Sequence, residues 1–133
     1  MTASSSTTLH ITIHRTPEQV YAFVSNPATL PQWAPAFCKS IRQTANGWII
    51  DTPDGQVGLR FAETNAFGVL DHYVTLAPDV EIYVPMRVLK NGDVSEVIFT
   101  LFRLPGMSDA DNARDRVMVE KDLAMLKTVM ERS

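Results

Sequence analysis

Leu9-His10-Ile11-Thr12-Ile13-His14-Arg15-Thr16-Pro17-Glu18-Gln19-Val20-Tyr21-Ala22-Phe23-Val24 changes its hydrophobic period part-way along, and that change decides the fold. From Leu9 to His14 apolar and polar side chains alternate, the period of two that marks a half-buried strand. Thr16 then offers a hydroxyl to cap a helix, Pro17 suits the first helical position, and Gln19 completes a capping box. Val20, Phe23 and Val24 follow at helical spacing, so a short helix is expected over residues 17–25.

Working outward, Asn26-Pro27 caps a second short helix, which Pro31 and Pro35 confine to residues 28–33. Strand and turn signals then alternate. Strands are expected over residues 37–44, 48–50, 56–64, 69–76, 80–89 and 94–104, with turns at Asn46-Gly47, Asp54-Gly55, Pro78-Asp79 and Asn91-Gly92. Pro85 removes a backbone donor inside its strand, so an edge or a bulge is expected there. Pro105-Gly106 ends this series, and Ser108 caps a last helix with Asp109 and Asp111 in its positive first turn. Running to about Arg132, that helix is on the order of 35 Å long, enough to cross a small domain. Consecutive antiparallel hairpins with one long terminal helix fit a sheet covered on one face.

The bulk numbers agree with one such domain. A chain of 133 residues is the usual size of a single domain, taken here as 1–133 with residues 1–7 expected to be flexible. The net charge of -3, with no Lys/Arg cluster, argues against a nucleic-acid partner and against an anionic membrane surface. No apolar run approaches the roughly eighteen residues of a spanning helix. Met1 to Thr8 has neither the basic flank nor the apolar stretch of a signal peptide, and the single cysteine, Cys38, cannot form an internal disulfide. A cytoplasmic protein is expected.

Three segments carry a resemblance. Ile11-Thr12-Ile13 running into Thr16 to Val24, then Leu30-Pro31-Gln32-Trp33, and finally Asp122-Leu123-Ala124-Met125-Leu126-Lys127 resemble the START-like (SRPBCC) superfamily, which includes the birch-pollen allergen fold. The nearest likeness is to its bacterial polyketide cyclase/dehydrase and lipid-transport branch. The expected fold class is therefore α+β: a helix grip, with a curved seven-stranded antiparallel sheet, two short helices after strand 1 and a long C-terminal helix. The resemblance implies a deep cavity between sheet and helix that takes lipids, polyketides, hormones or other apolar ligands. It does not choose among cyclases, carriers and partner-binding proteins, because function resides in the site and not in the fold.

Several side chains are candidates for that site. His72 shares a strand face with Leu70, Val74 and Leu76, which turns an imidazole toward the core or cavity. It could move a proton near neutral pH, or simply bond a backbone carbonyl. Asp122 falls inside the apolar arc of the last helix, with Asp115 near the same line. It could orient His72, meet a ligand hydroxyl, or reach solvent from the arc's edge. Trp33, Trp48 and Tyr73 could line a pocket for a flat ligand, as could Tyr83. Met118 and Met125, beside Met130, offer adaptable thioethers, and Phe61, Met86 and Phe99 complete the expected lining. Arg60, Glu63, Arg87 and Arg103 sit among strand hydrophobics, either at a cavity end or where the sheet meets water.

No metal and no cofactor is expected. His10 and His14 lie four residues apart on one strand, roughly 13 Å, too far for one ion. Cys38 lacks a nucleophile's local signature, and Gly-x-Ser-x-Gly and Gly-rich phosphate loops are absent. Three readings remain open: a non-catalytic carrier or sensor of a small hydrophobic or aromatic ligand; a polyketide cyclase or dehydratase using His72 with an acid, Asp122, or with Tyr73; or an interaction module, a homodimer through the outer sheet face.

Overall fold

In the computed structural model, which describes residues 1–132, the chain opens on strand β1 (Ser6–Ile13) and helix α1 (Pro17–Val24). A 3-10 turn (Pro27–Thr29) leads into helix α2 (Leu30–Trp33). Seven strands follow: β2 (Ser40–Thr44), β3 (Gly47–Thr52), β4 (Gly55–Phe61), β5 (His72–Ala77), β6 (Val80–Val84), β7 (Met86–Asn91) and β8 (Val94–Phe102). Helix α3 (Asp109–Arg132) closes the chain.

The caps form as their chemistry requires. Gln19 N–H donates to the Thr16 hydroxyl at 3.2 Å, and Thr16 N–H donates to the Gln19 side-chain oxygen at 3.0 Å. Asn26 accepts from Ala28 N–H, and Ser108 accepts from Asp111 N–H. β1 begins earlier than alternation suggested, because Ser6 and Thr7 pair with Phe102 and Leu101 of β8.

All pairings are antiparallel, in two ladders ordered β1-β8-β7 and β2-β3-β4-β5-β6. The expected count of seven strands becomes eight. Pro85 is the reason: lacking an N–H, it ends β6, and the chain leaves one ladder and joins the other. The segment before β5 crosses in the same way. Leu70 N–H donates to Met86 O at 2.9 Å and Val88 N–H donates to Gly68 O at 2.9 Å, so β7 is bonded on both sides and the two ladders join. Gly68 stands at φ +71°, and a Cβ there would lie 2.3 Å from the Val88 carbonyl oxygen, so only glycine fits this crossing.

Helix α3 packs along β1 and against α2. Near its C-terminus, Lys127 Nζ donates to Thr12 O and to Glu131 at 2.7 Å each, while Glu131 also accepts from His14 N–H at 2.8 Å. Before its N-terminus, Arg103 holds the Met107 carbonyl and pairs with Asp109 at 2.7 Å. The helix is thus fastened at both ends. The fully buried core includes Ile13, Val20, Val24, Ile50, Met86, Val97 and Leu126. No helix among the described residues is long and apolar enough to cross a membrane.

Candidate functional site

Alternate residues of four strands turn their side chains to one space under α3. These are Leu59 and Phe61 from β4, His72, Val74 and Leu76 from β5, Ile82 and Val84 from β6, and Phe99 and Leu101 from β8. Opposite them stand Leu30 and Trp33 of α2, Phe37 beyond it, and the α3 stripe Asp115, Met118, Val119, Asp122 and Leu123. That stripe repeats at i, i+3, i+4, i+7 and i+8, which is one face of a helix. The space between the two walls is a cavity of about 190 Å³. A dry, apolar cavity of about 150 Å³ holds a benzene molecule, so this one admits a ring with a short extension. Leu76 and Phe102 are substantially exposed and mark its mouth, while Trp33 and Asp122 are buried and mark its depth.

His72 is buried, as the apolar face of its strand predicts. Its Nδ1 lies 3.1 Å from the Leu70 carbonyl oxygen, so Nδ1 carries the proton and donates, and Nε2 is left as an acceptor. Phe61 and Phe99 flank the ring at 5.0 and 5.9 Å between centroids. Burial holds the imidazole pKa below its ordinary value, against the opposing pull of the Leu70 carbonyl and the neighbouring Asp71 carboxylate. His72 is therefore a neutral group in an aromatic cleft at neutral pH.

Asp122 is only 7% exposed, and burial pushes its carboxyl up to about 7, although the Ala36 amide favours the charged form. Its Oδ1 meets no hydrogen-bond partner among the described residues, and neither does the indole Nε1 of Trp33. Asp115, half-buried on the same stripe, is also raised by burial. His72 and Asp122 line one cavity, yet no hydrogen bond among the described residues joins them. The acid that would complete a proton-transfer pair is not engaged with the imidazole.

Of the ten side chains expected to meet a ligand, the cavity wall takes Trp33, Phe61, His72, Phe99, Met118 and Asp122. The other four lie elsewhere. Trp48 pairs directly with Leu59, and Met86 with Phe99, so each shares the face of a lining residue but stands one strand away, Met86 in the packed core and Trp48 half-buried against it. Tyr73 follows His72 and must therefore point to the opposite face, where it stacks on Tyr83 at 5.3 Å under the Arg60 guanidinium. Met125 continues the Met118 stripe seven residues on. There the helix faces Pro35 and Ala36 across a shallow groove, and the side chain is exposed.

The strand charges resolve as surface pairs. Arg60 meets Glu81, Arg87 meets Asp71, and Arg103 steadies the turn before α3. Glu63 lies exposed beyond β4. Cys38 is buried and raised to about 11, first by desolvation and then by Asp51 and Asp122, so it holds its proton. Phe37 and Leu30 are lining residues that alternation did not reveal. Residues 37 and 38 turn back onto the Ala34 carbonyl and do not begin a strand, and Pro35 next to them was the available signal.

The chain matches no family model and no curated protein by sequence. Solved structures do match its fold. An uncharacterised protein from Bacillus thuringiensis superposes with a TM-score of 0.76 at 20% identity, covering 95% of this chain and 98% of that one. Ara h 8.0201 gives 0.72 at 13% identity over 97% and 99%. A START superfamily protein from Mycobacterium smegmatis gives 0.70 at 13% identity over 96% and 97%. The fold is thus START-like, the helix grip, along almost the whole length of the chain.

Proposed function

We propose that this protein binds a small, mainly apolar molecule in the cavity between its sheet and α3, as a non-catalytic carrier or sensor. The observation that carries this reading is the cavity itself: about 190 Å³ of space, walled by the rings of Trp33, Phe37, Phe61, Phe99 and Phe102 and by branched aliphatic chains, in a fold of this size. At that volume the guest is about one aromatic ring with a short chain, smaller than a folded polyketide or a full lipid tail. A cyclase or dehydratase needs a paired proton donor and acceptor at the substrate. His72 spends its Nδ1 proton on Leu70, which favours binding over chemistry. A homodimer through the outer sheet face is a separate reading that light scattering of the purified protein decides. A cytoplasmic location suits its one buried, protonated thiol.

Calorimetric titration with propylbenzene tests the proposal. Saturable one-to-one binding is expected, with shifts confined to methyl resonances of lining residues such as Leu59, Val74 and Leu123. Val84→Phe fills part of the cavity and is expected to weaken binding at least tenfold while the circular dichroism spectrum is kept. Equal binding by a folded Val84→Phe variant, or shifts spread over the outer face, would refute the site.

A further inference from the structure

Two residues on one wall of the cavity each carry an orphaned polar atom. Trp33, 3% exposed, has an indole N–H with no acceptor, and Asp122, 7% exposed, has Oδ1 with no donor, among the described residues. Both side chains belong to the α2–α3 wall at the deep end. A buried polar group without a partner costs about 1–3 kcal/mol, so native structures rarely leave a donor and an acceptor orphaned together unless something else completes them. Neither atom touches open space, in the cavity or outside it, as the side chains stand, so a guest meets them only when the Trp33 ring and the Asp122 carboxyl both turn. A carboxylate, however, turns about a broad, two-fold torsion, which lets either oxygen meet a guest.

We infer that the ligand of this cavity is a small aromatic or alicyclic alcohol whose hydroxyl accepts from Trp33 Nε1–H and donates to Asp122. This rests on the cavity being a binding site at all. The chemistry narrows the choice to groups that donate and accept at once, of which a hydroxyl is the smallest a ligand can carry. A hydrocarbon satisfies neither atom, and an ether or ester oxygen satisfies only the indole. An ammonium meets the carboxylate but has nothing for the indole to donate to. An anionic headgroup is disfavoured twice: Asp115 and Asp122 face it, and no Lys or Arg among the described residues lines the cavity. His72, the remaining ionisable lining residue, is kept neutral by its burial and offers no compensating charge at neutral pH. A hydroxyl, which donates and accepts at once, matches both orphans.

Four probes of one shape separate these cases at pH 8: 3-phenylpropan-1-ol, propylbenzene, 3-phenylpropylamine and 3-phenylpropanoate. The alcohol is expected to bind about tenfold tighter than propylbenzene, the return from hydrogen bonding to otherwise unpaired groups. The amine is expected to bind more weakly than the alcohol, and the carboxylate not at all at concentrations that saturate the alcohol. In Trp33→Phe and in Asp122→Leu the alcohol-to-hydrocarbon ratio is expected to fall to about one. Wild-type protein carries its own control should either variant misfold. Of its two indole N–H resonances, Trp33 is expected to move with the alcohol and not with propylbenzene, while Trp48, outside the cavity, stays in place. An alcohol that binds no better than the hydrocarbon, with the Trp33 resonance unmoved, overturns the inference and leaves the cavity reading intact. So does an amine or carboxylate that binds as tightly as the alcohol. Absence of binding by both propylbenzene and the alcohol removes the cavity reading beneath it.

Discussion

Asp122 places an acid where water cannot solvate it, and the consequence can be measured without knowing the ligand. Its carboxyl is raised from an ordinary 3.8 to about 7 by burial, so the folded state holds a proton that the unfolded chain has already released. The folded form therefore gains from Asp122 only while the group is neutral. That advantage begins to be lost above the unfolded value near 4 and is gone once pH passes about 7. His72 works in the opposite sense. Its folded pKa is depressed, so its contribution is full above about 6.5 and declines as pH falls below that. Comparison with Asp122→Asn isolates the first effect. Between pH 5.5 and 8.5 the variant is expected to gain on wild type by on the order of 2 kcal/mol in urea-unfolding free energy. A gap that stays constant with pH would show that Asp122 is ionised throughout and solvated in the fold.

Among the elements, β5 and the segment leading into it matter most, because they deliver His72 to the cavity. Period-two alternation placed His72 correctly beside Leu70 and Val74, but it gave no sign that residues 68–70 leave this ladder for β7. Gly68 makes that crossing. At φ +71° with the Val88 carbonyl against the site of a Cβ, a side chain has no room. Gly68→Ala is expected to lower stability by about 3 kcal/mol or more, the sum of backbone strain and displacement of β7, read from chemical denaturation. A change under about 1 kcal/mol would mean that the crossing is slack. The caps were legible for the contrasting reason that they are local: Thr16 and Gln19 are three residues apart and bond one another. Pro85 was legible in part. The missing donor announced an interruption, but whether the interruption would be a bulge or a change of partner depended on β8, whose Thr100 N–H bonds the Pro85 carbonyl.

For the whole molecule, binding and stability are one equilibrium, since a guest held between the sheet and α3 is lost when the helix leaves. A ligand at one hundred times its dissociation constant adds about 2.7 kcal/mol to the unfolding free energy. The melting temperature of the wild-type protein is accordingly expected to rise steadily with 3-phenylpropan-1-ol concentration, and that of a folded Val84→Phe variant to stay level. A rise of equal size in both would place the alcohol outside the cavity. The sequence by itself determined what depends on near neighbours: the succession of short helices, hairpins and long terminal helix, the helix caps, the inward face of β5 that carries His72, and the stripe that puts Asp115 and Asp122 on one side of α3. Those features follow from periods of two and 3.6 residues and from bonds between positions three or four apart. Tertiary structure alone decided which members of an inward face border empty space. Trp48 and Met86 share the faces of Leu59 and Phe99, yet Met86 is enclosed in the core and Trp48 packs half-buried against it, while their cross-strand partners line the cavity. Alternation fixes the side of a sheet on which a residue stands, but a void belongs to the gap between elements distant in sequence, and no local pattern records its edges.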